Sequence, residues 1–327
     1  MSSILKVCVV GAGAIGGLIA AWFARAGHDV CLVARGAHLE ALKASGLTLL
    51  SEGKQTVFPL HASYEPAEFG VQDAVFLCLK THSIGAMLPR LRSLVGPGTT
   101  VIPAINGLPW WYFFREGGRF DGRPVACLDP AGTLFAALDP RHILGCVVHA
   151  AAEVTEPGVV RHTAGRVFIL GEPDRAKSAR AEALAAAMNA AGFEARLAAD
   201  IRVEIWTKLI GNLSYNPVAA LALAQMNDIH GSETLLALIR KMMEEAMRVA
   251  EAYGVRIPVT VDERIAIARQ LAGAKISMHQ DIEKRRPLET DAIIGAVVEL
   301  ARKAAIATPM IDAVYALIAE RAKHLDR

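Results

Sequence analysis

A short β-branched run, Leu5 to Val10 (LKVCVV), passes directly into Gly11-Ala-Gly13-Ala-Ile-Gly16. Helical spacing then starts at Ile15 and runs to Ala26, Gly27 ends it, and Asp29 to Ala34 (DVCLVA) reads as a second strand. A G-x-G-x-x-G pattern alone is a weak signal, but strand, glycine turn, helix and strand in this order give it meaning. The first glycine permits the tight turn, the second lets backbone approach a pyrophosphate, and the third allows close helix packing. The helix N-terminus then offers free N–H groups and a positive dipole end to phosphates. These residues predict a dinucleotide site built from Gly11, Gly13, Ala14, Ile15 and Gly16 on a doubly wound α/β sheet. The same stretch contains an uncharged run of 18 residues, Val7 to Ala24, preceded by Lys6, which could pass for a signal peptide or membrane span. Its four glycines and the βαβ rhythm beyond it argue for the turn instead.

At the end of the second strand, where an acidic residue would take the ribose 2′-hydroxyl of NAD, stands Arg35. A guanidinium there pairs with a 2′-phosphate, so NADPH is the expected cofactor; the alternative is a plain surface arginine. Ala37 to Ala44 reads as a short helix and Gly46 to Phe58 as a hairpin around Glu52-Gly53. Ala74 to Leu79 is a buried strand ending at Lys80, and Thr99 to Pro103 is another, followed closely by Asn106-Gly107. Ligands in such sheets lie beyond the carboxyl ends of the strands, which directs attention to Lys80 and Asn106. His82 and Ser83 read as loop residues. Trp110 to Phe114 (WWYFF) fits core or interface packing, or else an apolar wall of a substrate pocket. Val125 to Leu128, Ile143 to Ala150 and Val167 to Leu170 read as strands. A helix from Arg175 to Ala191 and a strand from Glu194 to Leu197 close the first domain.

From Ile201 onward the pattern is helical. In Trp206 to Asn216 (WTKLIGNLSYN), Lys208, Asn212 and Asn216 fall four apart, so an ammonium and two amides line one stripe roughly 12 Å long. Pro217 should kink that helix. A solvated stripe would look the same, so the pattern needs support from elsewhere. Ser232 can cap a helix ending near Tyr253, Thr260 with Glu263 forms a capping box, and Thr308-Pro309 starts the last helix. Ser277 with Gln280 reads as another capping box, and Glu289 sits where a helix restarts after Pro287.

The length of 327 residues suits two domains, and 53% hydrophobic content fills both cores. A net charge of +2, with both signs interspersed, gives no reason to expect nucleic acid or anionic membrane as a partner. The five cysteines have no C-x-x-C spacing and mostly lie in apolar runs, reading as reduced core residues of a cytoplasmic protein. The ten histidines lack paired ligand spacing, so no metal is expected.

Taken together, GAGAIGG, LKTHS at Lys80, AINGL at Asn106, WTKLIGNLSYNP at Lys208 and SMHQDIEKRRPLETDAIIG near the end resemble the ketopantoate reductase family over essentially the whole chain. The resemblance implies an N-terminal NADPH-binding Rossmann domain, placed at residues 1–199, and an all-helical catalytic domain at 200–327. It further implies that Lys208 is the catalytic lysine, that Asn106 positions it and the nicotinamide, and that Glu289 binds the substrate hydroxyl. Asn212, Asn216 and Ser277 match positions that hold the substrate's hydroxyls and carboxylate; Lys80 matches a cofactor-side lysine and Arg35 the 2′-phosphate arginine. The chemistry agrees, because reducing a 2-oxo carbon builds charge on oxygen that an ammonium can stabilise and protonate.

Three features depart from the family's usual pattern: Ile105 in place of a glutamine, Ser83 in place of another, and the Trp110 to Phe114 run. They raise the expectation of a bulkier or more apolar 2-oxo acid than ketopantoate. The rival readings are a β-hydroxyacid dehydrogenase, a lysine Schiff-base enzyme and a non-catalytic NADPH-binding sensor. Asn216 and the Ser277 to Glu289 segment favour the reductase over the first. Apolar helix faces would fit a homodimer through the helical domain, or packing within one chain.

Overall fold

The computed structural model describes residues 4–270 and 276–325. The chain forms two compact units. The first holds the residues up to Ile105 together with Phe114–Glu116 and Gly132–Ile201; the second holds Asn106–Phe113, Gly117–Ala131 and the chain from Arg202.

The first unit contains β1 (Lys6–Val10), α1 (Ala14–Arg25), β2 (Asp29–Val33), α2 (Gly36–Ser45), β3 (Leu47–Ser51), β4 (Lys54–Phe58) and β5 (His61–Ser63). It continues with β6 (Ala74–Leu77), α3 (Thr81–Leu91), β7 (Thr100–Pro103), α4 (Thr133–Ala137), β8 (Gly145–Glu156), β9 (Val159–Gly171), α5 (Ala179–Ala190) and β10 (Glu194–Leu197). The order β5-β2-β1-β6-β7 makes an all-parallel sheet, with Val9 opposite both Leu32 and Phe76. Its central strands are buried on both faces, which is why they read as unbroken apolar runs rather than alternating ones. This is the doubly wound arrangement expected from the sequence.

A second sheet lies outside the expectation. β3 pairs antiparallel with β4 and parallel with β9, while β9 also holds β10 parallel and β8 antiparallel. The segments expected as short strands at 143–150 and 167–170 are the far halves of one long hairpin, β8–β9. Helix α1 packs on β1 and β2 from one side and on β3, β8 and β9 from the other. Leu18 to Phe23 are consequently all buried, and a helix sandwiched on both sides must be apolar all round. That demand explains the membrane-like run. Among the described residues no helix is long and apolar enough to cross a membrane.

The second unit is built from α6 (Ile201–Ala222), α7 (Met226–His230), α8 (Glu233–Ala252), α9 (Val261–Arg269) and α10 (Ser277–Glu283). A π turn over Asp291–Gly295 then leads into α11 (Ala296–Lys303), and α12 (Pro309–Lys323) closes the chain. Ile201 itself falls to the first unit. Helix α6 runs on through Pro217 to Ala222. The Thr260–Glu263 capping box and the Ser232 cap form as read.

Four local expectations are corrected. Val125 to Leu128 is a turn, because the N–H groups of Ala126 and Cys127 donate to the Glu299 carboxylate at 2.9 and 2.7 Å instead of to a strand. His82 and Ser83 lie in the first turn of α3, not in a loop. Ser277 does not cap α10; Ile276 holds the cap position and Ser277 is the first helical residue. Helix α5 starts at Ala179 behind the Ser178 cap, whereas Arg175 adopts φ 64° and pairs with Asp200 at 2.6 Å.

The aromatic run is core. Trp110, Trp111, Tyr112 and Phe113 are at most 1% exposed. The Trp206 indole N–H donates to the Tyr112 hydroxyl at 2.7 Å, and the buried Arg202 Nε donates to the Tyr112 carbonyl at 2.9 Å. Phe113 packs against Phe120 and Tyr253. A division at 199/200 would assign this run to the first domain, but Trp110 to Phe113 belong to the second unit, and of the run the half-buried Phe114 alone falls to the first.

Candidate active site

In the first unit the glycine turn is built by close approach. Gly11 has φ +100° and donates its N–H to the Val33 carbonyl at 2.9 Å, tying the turn to the end of β2. A Cβ on Gly16 would lie 2.0 Å from the Gly11 carbonyl oxygen, so only glycine lets α1 start this close to β1. Gly13 is different, since a Cβ there would meet none of the described residues within 4 Å. Protein packing therefore does not require glycine at 13, whereas a ligand pressed against the turn would. Gly13 caps α1 without a side-chain bond, and Ala14, Ile15 and Gly16 come next, with the N–H groups that a helix start leaves unpaired. The turn fits a pyrophosphate.

Arg35 is exposed directly after β2, at the cap of α2, and no carboxylate pairs with it among the described residues. Lys80 is half-buried at the cap of α3, just past the carboxyl end of β6. Beneath the turn, burial and then the neighbouring Cys146 push the Cys78 thiol far above its ordinary range. It stays protonated and offers no nucleophile.

In the second unit Lys208 is half-buried on α6, and its Nζ donates to Asn106 Oδ1 at 2.7 Å across 102 residues of sequence. Asn106 is held in place by its neighbours Gly107 and Leu108. Gly107 has φ +84°, Leu108 donates its N–H to the Ala292 carbonyl at 2.8 Å, and a Cβ on Gly107 would fall 2.2 Å from that oxygen. Asn212 and Asn216 continue the face that carries Lys208, half-buried and buried respectively, so the stripe is no solvated surface. Asn216 lies in the turn that Pro217 leaves short of one hydrogen bond.

Ser277 and Glu289 lie on other elements of the same unit. Ser277 is exposed at the start of α10, and Glu289 is half-buried at the restart, where the Ile293 N–H donates to its carbonyl at 3.1 Å. His279, within the SMHQD segment, is buried and bonds through Nδ1 to the Ala224 carbonyl at 3.1 Å, fastening α10 beyond the end of α6. The role of Gly107 was missed in the sequence, where it reads as an ordinary Asn-Gly turn. Gly211 was missed too. A glycine inside a helix costs about 1 kcal/mol relative to alanine, which is the one hint in the sequence that something approaches there. The side chain that does so is Arg264.

Residues 7–175 match the family model described as ketopantoate reductase PanE/ApbA, and residues 200–322 match its C-terminal counterpart. The chain is 45% identical over 315 residues to a 2-dehydropantoate 2-reductase of Mesorhizobium japonicum, covering 96% of this chain and 97% of that one. A crystal structure of a candidate ketopantoate reductase from Ralstonia solanacearum superposes with a TM-score of 0.94 at 36% identity, covering 99% of each chain. One of a 2-dehydropantoate 2-reductase from Geobacter metallireducens gives 0.86 at 28% identity, over 97% of this chain and all of that one.

Proposed function

The chain belongs to the ketopantoate reductase family, and on that footing we propose that it reduces 2-dehydropantoate, or a closely related 2-oxo acid, to the 2-hydroxy acid with NADPH. The observation that carries the reading is the 2.7 Å bond from Lys208 Nζ to Asn106 Oδ1. An ammonium has three N–H donors, and Asn106 takes one of them. The amide fixes the direction of the others, so a ketone oxygen can accept from the same nitrogen.

NADPH, when bound, supplies the hydride. Lys208 stabilises the charge that develops on the ketone oxygen and delivers its proton there, so carbon gains the hydride and oxygen the proton; the lysine is then recharged from solvent. The amides of Asn212 and Asn216 and the Ser277 hydroxyl are assigned to the substrate's polar groups, and Glu289 to its hydroxyl. Gly11, Gly13, Ala14, Ile15 and Gly16 hold the pyrophosphate, Arg35 the 2′-phosphate, and Lys80 lies on the cofactor side. Of the three departures behind the expectation of a bulkier substrate, the aromatic run no longer supports it, because Trp110 to Phe113 are buried in the core; Ile105 and Ser83 still do. Ketopantoate is the first substrate to try. Five free cysteines suit a reducing cytoplasm, where we place the protein.

Loss of NADPH absorbance with ketopantoate tests this, run beside NADH and a Lys208→Ala variant. Turnover that prefers NADPH and collapses in the variant is expected. Tight NADPH binding with no turnover of any 2-oxo acid would reject the reading in favour of a non-catalytic sensor.

A further inference from the structure

The second unit carries a cation that this reaction has not yet used. Arg264 stands on α9, and its guanidinium lies directly over Gly211 of α6: a Cβ there would come within 2.1 Å of Nη2, 2.6 Å of Cζ and 2.8 Å of Nε. Gly211 comes three residues after Lys208 and immediately precedes Asn212, so the guanidinium flanks the stripe that carries both.

The carboxylates beside it on α9 are engaged elsewhere. Asp262 pairs with Arg240 at 2.6 Å, and Glu263 closes its capping box on the Thr260 N–H at 2.7 Å. Among the described residues none bonds or ion-pairs with the Arg264 guanidinium. Burial lowers its pKa from the ordinary arginine value, with nearby Tyr215 opposing. Tyr215 is four residues after Gly211 and only 4% exposed, and its hydroxyl has no hydrogen-bond partner among the described residues. Arg269 adds a further positive charge near that ring. A half-buried guanidinium cannot shed its charge, so without an anion it bears its desolvation cost unrelieved.

We propose that Arg264, seated on Gly211, is the residue that receives the carboxylate of the 2-oxo acid. The assignment rests on Lys208 being the acid of the proposed reaction. In a 2-oxo acid the carboxylate is bonded to the ketone carbon, so the group that holds it must flank the group that protonates the ketone oxygen. One helical turn along α6 from Lys208 is such a place, and the guanidinium fork matches a carboxylate with two parallel N–H donors. Asn212 can add a third donor from the next position. The site therefore selects substrates with a free carboxylate over ketones, aldehydes and esters.

The test compares wild type, Arg264→Gln and Arg264→Lys on ketopantoate and on its methyl ester, each with saturating NADPH. In wild type the acid is strongly preferred. Arg264→Gln should raise KM for the acid about 100-fold, the scale of losing one partner of a buried charge pair, leave the ester nearly unchanged, and so erase the preference. Arg264→Lys should recover part of it, and added guanidinium ion should partly rescue Arg264→Gln. Should Arg264→Gln fail to fold, Gly211→Ala, whose methyl group displaces the guanidinium, must lower the acid-to-ester ratio in the same direction. Wild-type turnover with a ratio that these variants do not change overturns this assignment alone. Absence of wild-type turnover on 2-oxo acids overturns the reaction and this assignment with it.

Discussion

The backbone N–H of Leu108 donates to the carbonyl of Ala292 at 2.8 Å, joining the segment that carries Asn106 to the π turn just beyond Glu289. Gly107 lies under this bond in a left-handed conformation, with no room for a Cβ. Asn106 is thus aimed by the helical unit, although it stands just past a strand of the sheet.

Gly107→Ala should therefore damage both stability and rate. A left-handed alanine costs roughly 1–2 kcal/mol, and overlap with the Ala292 oxygen about 1–3 more. Denaturant unfolding should show a loss within the combined range, and kcat should fall because Asn106 moves away from Lys208. Unaltered kcat would show that the aim of Asn106 does not matter.

Lys208→Ala should lower kcat by roughly 10²–10⁴-fold, the usual contribution of a positioned acid, while leaving NADPH affinity intact. Asn106→Ala should act in the same direction with a smaller loss, since the lysine keeps its charge and loses only its orientation. Stopped-flow single turnovers, which isolate the reduction step from product release, check both.

Arg35→Asp should raise the Michaelis constant for NADPH far more than that for NADH. The exposed guanidinium has no carboxylate partner among the described residues, so the cofactor's 2′-phosphate is its natural counter-charge. Equal effects on the two cofactors would dismiss that pairing.

Glu299 predicts a pH effect. Burial raises its pKa, but hydrogen bonds from Lys303 and from the Cys127 and Ala126 backbone more than offset this and hold it below the ordinary carboxylate value of 4.5. A group depressed in the folded state stabilises fully above its unfolded pKa and loses that contribution as pH falls through the folded one. Wild-type stability should accordingly drop below about pH 4.5. Glu299→Gln should flatten that part of the profile and lower stability at neutral pH. Urea unfolding of both proteins, followed from roughly pH 3 to pH 7, measures the difference.

The parallel sheet and its glycine turn were legible in the sequence because their signals are local. A strand buried on both faces needs an unbroken apolar run, and Gly11 and Gly16 stand within a few residues of each other at the turn they shape. The caps at Ser232 and Thr260 were legible for the same reason, since each closes over three residues. Val125 to Leu128 misled because its apolar residues would suit a strand, while the carboxylate that claims its N–H groups comes from Glu299, 172 and 173 residues away.

Local pattern alone therefore specifies the type of each strongly periodic element and the presence of a dinucleotide turn. It does not specify the second sheet, the placement of the Trp110–Phe113 core in the helical unit, the bond between Lys208 and Asn106, or the guanidinium over Gly211. Those arise when distant parts of the chain close on one another. Periodicity and capping act over one or two turns of chain. A contact across a hundred residues forms only where the closed surfaces offer a matching donor, acceptor or space, and no local pattern records which surfaces will meet.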